Sequence, residues 1–515
     1  MDLHEPAKKP TGMGFTGWLR WGWRTLTSMK TALILLFLFA LASIPGSLVP
    51  QRGVEPDKVA LIYQNDPALA EWYERFQLFD VFTSFWFAAI YLLLFTSLIG
   101  CIIPRTVTYL KELRRKPPAA PRNLSRLPHY SPLSTEISVE EVAKRLRKQR
   151  FRVVTGDGWV AAEKGYLRET GNLLFHISLL GLLAAVGIGS LYGYRGNILV
   201  VEGDGFANTV AAYDRFIPGR QVSAESLEPF SFSLQDFQAT YQVTGEKKGQ
   251  ELDYTAKLKV TDAPGDRERD YDLKVNEPLE INGTQTYLIG HGYAPVFRVT
   301  DGKGQVAYDG PVPCLIEYKP TLVSECVVKA PDAQPGELGF LFRFLPTSVP
   351  AQGGGFTSAF PGALQPKAQL LGAFTGDFGM RSGRPQSVYK LAPDDLMKKL
   401  KPLVMGSKAP EPLAAGQSFT LPEGLGKIEF VEVREWMTLQ IAYDPGRVPA
   451  LLASGLATVS IALSLMIRRR RVWVRVKDGT AEVGGLTRTE GSAAGFAEEF
   501  ADVVKVLSAG DKDVR

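Results

Sequence analysis

Four stretches of this chain run for roughly twenty residues each without a charged side chain, long enough for a helix to cross a ~30 Å hydrocarbon core. They are Thr31–Val49, Val81–Ile103, Gly171–Tyr194 and Val448–Ile467. They predict four membrane spans. Ala40-Leu41-Ala42 in the first resembles a signal-peptidase site. However, thirty residues precede that span and its apolar run continues past the alanines, so it reads as a span rather than a cleaved leader. Between the third and fourth spans the hydrophobic period changes to two. FSFSLQDFQATYQV, LDYTAKLKVTD and YDLKVNEPLEING alternate between Gly, Pro, Asn and Asp turns. That pattern predicts strands, and residues 195–447 read as a β-rich domain of sandwich or barrel type, with a second lobe after Pro335. Ala351 to Arg384 is rich in Gly and Pro and reads as loop, and PDDLMKKL near Pro393–Leu400 as a short helix.

Two shorter segments have the pattern of a mixed α/β unit. Ser138–Arg150 (SVEEVAKRLRKQR) is an amphipathic helix opened by a Ser-x-x-Glu capping box. FRVVT and WVAAEK follow as a hairpin around Gly156-Asp157-Gly158. After the fourth span come VWVRV, TAEVGGL and the amphipathic helix GFAEEFADVVKVL. Neither segment carries enough apolar surface for a core of its own, so the two are expected to share one small module.

Charge orients the chain. Lys8, Lys9, Arg20, Arg24 and Lys30 precede the first span, and Arg105 and KELRRK follow the second. KRLRKQRFR stands later in the same loop, and Arg468–Arg471 follows the fourth span. The positive-inside rule puts all of these clusters on the cytoplasmic side. The expected architecture is an integral membrane α-helical bundle of four transmembrane helices, N-in and C-in. It carries a large extracytoplasmic, mostly-β domain and a small cytoplasmic α/β module. In chain order this gives a cytoplasmic amphipathic segment (1–30), span one (31–49), an outer loop (50–80) and span two (81–103). A basic cytoplasmic loop (104–170), span three (171–194), the outer domain (195–447), span four (448–467) and a cytoplasmic tail (468–515) follow. Trp18, Trp21 and Trp23, lying among Arg20 and Arg24, read as an interfacial anchor.

Composition excludes several function classes. The net charge of +5 is gathered beside the spans, so it marks topology and not a nucleic-acid surface. Three cysteines without a CxxC exclude a disulfide scaffold and thioredoxin-like chemistry, and four histidines without an HxxxH leave little for a self-contained metalloenzyme. No GxxxxGK[ST] loop is present.

His176 is the most informative residue. An ionisable group inside a span is costly and faces a partner or a cavity. It lies about five residues into the third span, roughly 7–8 Å deep in the inner leaflet. The imidazole either hydrogen-bonds to its bundle or serves as an iron ligand of the haem type. Gly181, Ala185 and Gly189 form a small-residue stripe about 140° around the helix from His176, suited to close packing. Arg168, about 12 Å before His176 along the axis, is either a membrane-edge anchor or a partner for haem propionates. Cys314 and Cys326 form a disulfide, stay free, or exchange with a client thiol; Cys101 packs in span two. His291, in IGHGYAP, reads as an exposed turn residue, with a low-ranked role at an outer site.

Six segments carry a family likeness: LTSMKTALILLFLFALASIPGSLVPQRG, FDVFTSFWF, ETGNLLFHISLLGLL, VNEPLEINGTQTYLIGHGYAP, LQIAYDPG and RRRRVWVRV. In order and spacing the chain resembles the ResB (CcsB) family of system II cytochrome c biogenesis, most weakly over Ala351–Gly416. The resemblance implies a plasma-membrane complex with a ResC/CcsA-type partner carrying a tryptophan-rich haem-handling domain. It implies that haem b is transported outward and joined by thioethers to the CxxCH motif of apocytochrome c. His176 matches the family's intramembrane histidine and would supply one axial ligand, the partner supplying the other. Ligation needs reduced thiols, which leaves a thiol-reducing membrane protein open as a further partner. No acid, base or redox dyad is evident here, so the chain reads as an accessory subunit rather than a catalyst by itself. The competing readings are a cofactor-free β-domain receptor or scaffold, and a thiol-reductant transfer protein using Cys314 and Cys326.

Overall fold

The computed structural model describes residues 14–133, 136–165, 167–380, 387–406, 410–477, 480–487 and 493–509. Lys8 and Lys9 of the basic N-terminus lie outside them. The chain forms two compact units, Met1–Gly187 with Gly446–Arg515, and Ile188–Pro445.

Among the described residues, four helices are long and apolar enough to cross a membrane: Met29–Leu48, Phe85–Arg114, Arg168–Tyr192 and Arg447–Met466. The apolar faces of the first and last stay largely uncovered, with Phe37, Leu41, Leu451, Leu452 and Leu465 exposed. Such faces need lipid around them. The second helix starts at Phe85 rather than Val81. Leu78–Thr83 winds as a 3₁₀ turn, and the Ser84 hydroxyl caps the helix by accepting from the Phe87 N–H at 3.3 Å. At its other end the helix continues past Pro104 to Arg114, beyond the uncharged run that ends before Arg105.

The amphipathic helix Phe15–Leu26 leaves Trp18, Trp21 and Trp23 exposed. Its C-terminal end is pinned to the second span. Ser97 donates to the Leu26 carbonyl at 2.6 Å and the Cys101 thiol to the Thr27 carbonyl at 3.0 Å. Thr27 also fills the space where a Cβ on Gly100 would sit, its Cγ2 only 2.0 Å away. Within the loop after the first span, Pro56–Asn65 and Pro67–Arg75 are helices, and Arg52 ties the loop together through Glu74 and Asp80.

The same unit contains a five-stranded antiparallel sheet. Its order is His129–Leu133, Thr480–Thr487, Arg470–Lys477, Trp159–Lys164 and Arg152–Gly156. Val472, Val474, Val160 and Val483 line one face, covered by Val142 and Leu146 of helix Val139–Lys148 and by Phe496, Phe500 and Leu507 of helix Ala493–Ser508. The pairing of Trp159–Lys164 with Arg470–Lys477 joins segments three hundred residues apart in sequence. Arg145 of the first helix donates to the Val506 carbonyl near the end of the second, at 3.0 Å.

The second unit is organised by two 18-residue strands, Thr284–Asp301 and Gly426–Tyr443, paired antiparallel along their length. At about 3.3 Å per residue they run for ~60 Å, long enough to serve two cores. Around one end, Met437, Leu439 and Ile441 pack with Ile198, Leu234, Leu258 and Leu273, the last three from the four-stranded sheet Gly205–Ala207, Ser231–Tyr241, Glu251–Thr261 and Arg269–Lys274. Around the other, Phe297 and Phe430 pack with Phe340, Phe342 and Phe344 of a six-stranded sheet. The second lobe therefore includes strands from Leu315 onward and half of each long strand, so it does not begin at Pro335. The Gly- and Pro-rich stretch from Ala351 is not simply loop. Lys367–Thr375 is a strand inside the six-stranded sheet, with Ala368, Leu370 and Ala373 in the core. Nine residues of alternation were masked by the composition on either side.

Candidate functional site

The third-span helix is shaped by what each face meets. A Cβ on Gly171 would lie 2.8 Å from the Ser460 carbonyl oxygen and 2.9 Å from the Ser464 amide of the fourth span. Backbone of one span thus lies against backbone of the other, which only a small residue permits. Ser178, Ala185, Ala457 and Ser460 are buried between helices. The small-residue stripe plays a smaller part than its pattern suggested. Gly181 meets Ala453 at an ordinary 3.7 Å, and Gly189 sits against the Asp444 carboxylate rather than a helix. Tyr91 of the second span donates to the Leu183 carbonyl, and the Tyr109 and Thr170 hydroxyls are hydrogen-bonded.

His176 lies half-buried on this helix. Its Nδ1 is 2.7 Å from the Asn172 carbonyl one turn earlier. A carbonyl only accepts, so Nδ1 carries a proton, which in the neutral ring leaves the lone pair on Nε2. No hydrogen-bond partner meets Nε2 among the described residues. The Phe175 ring stands edge-on to the imidazole at 5.4 Å. A fixed tautomer with a free Nε2 is what a ligating imidazole requires, and the backbone carbonyl does the work of the usual outer-shell acceptor. No cluster of three or more His, Cys, Asp or Glu able to hold a metal ion occurs among the described residues. A single imidazole of this kind can offer one nitrogen ligand. Arg168 opens the same helix, half-buried and without an ion-pair partner among the described residues.

His291 is not in a turn. It sits within the long strand Thr284–Asp301, opposite Met437, with its side chain 10% exposed. The flanking glycines, which suggest a turn, are there for packing. A Cβ on Gly292 would strike the Trp436 ring at 2.4 Å, and one on Gly290 the Thr438 hydroxyl at 2.6 Å. The imidazole lies among Tyr254 (4.5 Å between ring centres), Phe237 (5.4 Å) and Tyr241 (6.4 Å). Burial lowers its pKa, partly opposed by Glu251, so the ring is held neutral. Nearby, Glu202 accepts the Phe237 and Glu435 amides, both at 2.9 Å. Burial, then Glu202 and Asp236, push the Glu435 carboxyl up to about 8.

This raised value has a stability consequence. Between the ordinary value near 4.5 and about 8, the unfolded chain has released the Glu435 proton while the folded chain keeps it, so stability falls as pH rises through that window. Glu435→Gln retains the shape without the ionisation. At pH 8 it is expected to stabilise the domain by roughly 2–4 kcal/mol, discounted for partial exposure, and to remove this slope. Thermal unfolding of the full chain at pH 5.5 and 8 checks this: unchanged differences in both proteins would sink it.

Cys314 and Cys326 are joined in a disulfide, and both are buried in the core of the second lobe. Neither sulfur is accessible to a client thiolate, which weighs against exchange as their role.

Four apolar helices attached to a large β-rich unit, with one imidazole in a span, define a membrane-anchored protein. Residues 29–501, nearly the whole chain, match the ResB-like family. The chain belongs to that family. It is similar to cytochrome c biogenesis protein CcsB of Gloeobacter violaceus, 29% identical over 277 residues that make up 51% of this chain and 54% of the relative. The proteins of the same name from Prochlorococcus marinus (26%, 51% of this chain, 59% of the relative) and Microcystis aeruginosa (26%, 54% and 62%) are similar to it as well. The chain thus spans little more than half the length of the curated relatives it matches.

Proposed function

We propose that this chain is the haem-conducting and scaffolding subunit of a system II cytochrome c maturation complex in the plasma membrane. Haem is its cargo, passed from the cytoplasmic side to the outer face for thioether attachment to apocytochrome c. The observation that carries the reading is the free Nε2 of His176, fixed by the Asn172 carbonyl inside an apolar span. It supplies one axial ligand, and a ResC/CcsA-type partner supplies the other. Arg168, at the mouth of the same helix, pairs with the propionates. Family membership and the name borne by the relatives support the pathway.

The orientation follows from the basic flanks: the N-terminus, the α/β sheet and the tail are cytoplasmic, and the β-rich unit is extracytoplasmic. The β-rich unit holds the apocytochrome or shapes the partner's outer pocket. Thiol-reducing chemistry comes from another protein, since the one disulfide here is buried.

The test is the absorption spectrum of the chain purified with its ResC/CcsA-type partner. A Soret band that depends on both subunits is expected. A colourless complex from cells replete in haem, with the chain folded, would sink the reading.

A further inference from the structure

A cavity of about 370 Å³ opens beside the C-terminal end of the second-span helix, where the strand after the fourth span passes it. Glu112, Arg115, Lys116, Glu163, Arg469 and Arg471 line it. The volume is at the small end of the range for ligand pockets. Four cations face two carboxylates, so the wall carries an excess of positive charge.

The arrangement is built rather than scattered. Glu163, 4% exposed on strand Trp159–Lys164, accepts from the Nε of Arg469 and, at 3.3 Å, from the Nε of Arg471. One buried carboxylate therefore fixes two guanidinium groups. Their terminal amino groups donate no hydrogen bond to the chain among the described residues. Arg469 is only 14% exposed, unlike a side chain that merely extends into solvent. Arg115 and Lys116 are exposed and have no ion-pair partner among the described residues. Basic anchors at membrane edges need none of this fixing. A pair of oriented guanidiniums with two further free cations is suited to a phosphate, which accepts bidentate donation.

Position selects the source of the phosphate. Arg469 stands three residues beyond Met466, the end of the fourth-span helix, so it lies within ~10 Å of that end even if the chain is extended. That is the depth of the headgroup layer, and basic pockets at span ends on this side of a bilayer take anionic headgroups. We propose that this cavity binds the phosphate of an anionic phospholipid headgroup. The lipid anchors the cytoplasmic sheet to the bilayer edge and holds the second and fourth spans in fixed relation. The proposal rests on the membrane crossing and cytoplasmic orientation proposed above and makes no use of His176 or haem, so a colourless complex in the test above would leave it standing.

Native mass spectrometry of the full-length chain in detergent, titrated with phosphatidylglycerol or phosphatidylcholine, is the measurement. One phosphatidylglycerol is expected to be retained in preference to phosphatidylcholine. Arg115→Gln/Lys116→Gln, at exposed and unpaired positions, is expected to weaken retention about 10- to 30-fold. Arg471→Gln, which leaves Glu163 paired with Arg469, is expected to weaken it as well. Lys111→Gln/Arg114→Gln removes the same charge from the last turn of the adjoining helix, outside the cavity, and is expected to change little. Equal losses in both double variants would reduce the cavity to a diffuse basic surface and overturn the proposal, as would equal retention of the two lipids. Displacement of the lipid by millimolar inorganic phosphate would assign the site to soluble phosphate and overturn the lipid assignment.

Discussion

His176→Ala is expected to abolish the accumulation of c-type cytochrome in cells that depend on this chain, while the protein itself reaches the membrane in normal amount. Alanine continues the helix, and the carbonyl of Asn172 keeps its place in the helical ladder, so little folding energy is lost. What disappears is Nε2. Loss of an outer-shell partner alone commonly weakens metal binding 10- to 100-fold, and loss of the ligand itself is expected to cost at least roughly 100-fold in haem retention. The spectrum of the complex should change with it. Added imidazole, small enough to enter the space left by the ring, is expected to restore part of the absorption and part of the maturation. A packing role predicts a different result: reduced protein level, no spectral change and no rescue. Pigment assembly that survives in the alanine variant at wild-type levels would remove His176 from the haem path.

The parts of this molecule that were legible from sequence are those with local causes. Absence of charge over twenty residues marked all four spans, because a bilayer imposes that pattern on any helix that crosses it. Alternation in FSFSLQDFQATYQV marked a strand, Ser231–Tyr241, because one face of it is buried. His176 stood out because an ionisable residue is rare at such a position. The parts that were not legible depend on distant partners. His291 looked like a turn because Gly290 and Gly292 flank it, yet those glycines answer to Thr438 and Trp436, some 145 residues later. Glu435 has an unremarkable sequence neighbourhood, and its carboxyl is perturbed by burial, by Glu202 in the turn after Tyr194–Val201 and by Asp236 on Ser231–Tyr241. The hydrogen bond that sets the tautomer of His176 runs to a backbone carbonyl, which every helix possesses, so no residue type announced it. His129–Leu133 pairs with Thr480–Thr487 although its Pro132 argues against a strand. Its place at the sheet edge lets the missing N–H go unpaired.

The backbone approach of the third span to the fourth at Gly171 also escaped the small-residue pattern, and it yields the second large effect. Gly171→Leu places a side chain where Ser460 O and Ser464 N already stand within 3 Å of the Cβ position. Those are backbone atoms of a helix and cannot rotate aside, so the third and fourth spans must separate or shift. Overpacking of this kind costs about 1–3 kcal/mol in a well-packed core. Here the consequence is also functional, since His176 is five residues further along the same helix and its aim is set by that contact. Gly171→Leu is expected to lower haem content and cytochrome assembly as far as His176→Ala does, and to resist rescue by imidazole, because the ligand remains while the cleft is displaced. Gly181→Ala is the matched control. Its new methyl meets only Ala453 at 3.7 Å, an ordinary contact, and activity should stay near wild type. The two glycines lie ten residues apart on one helix and differ in what a Cβ would meet. Measuring c-type cytochrome and Soret absorbance in both therefore separates close span packing from a general requirement for glycine in this helix. If both variants mature cytochrome equally well, the approach of the third span to the fourth has no part in presenting the imidazole.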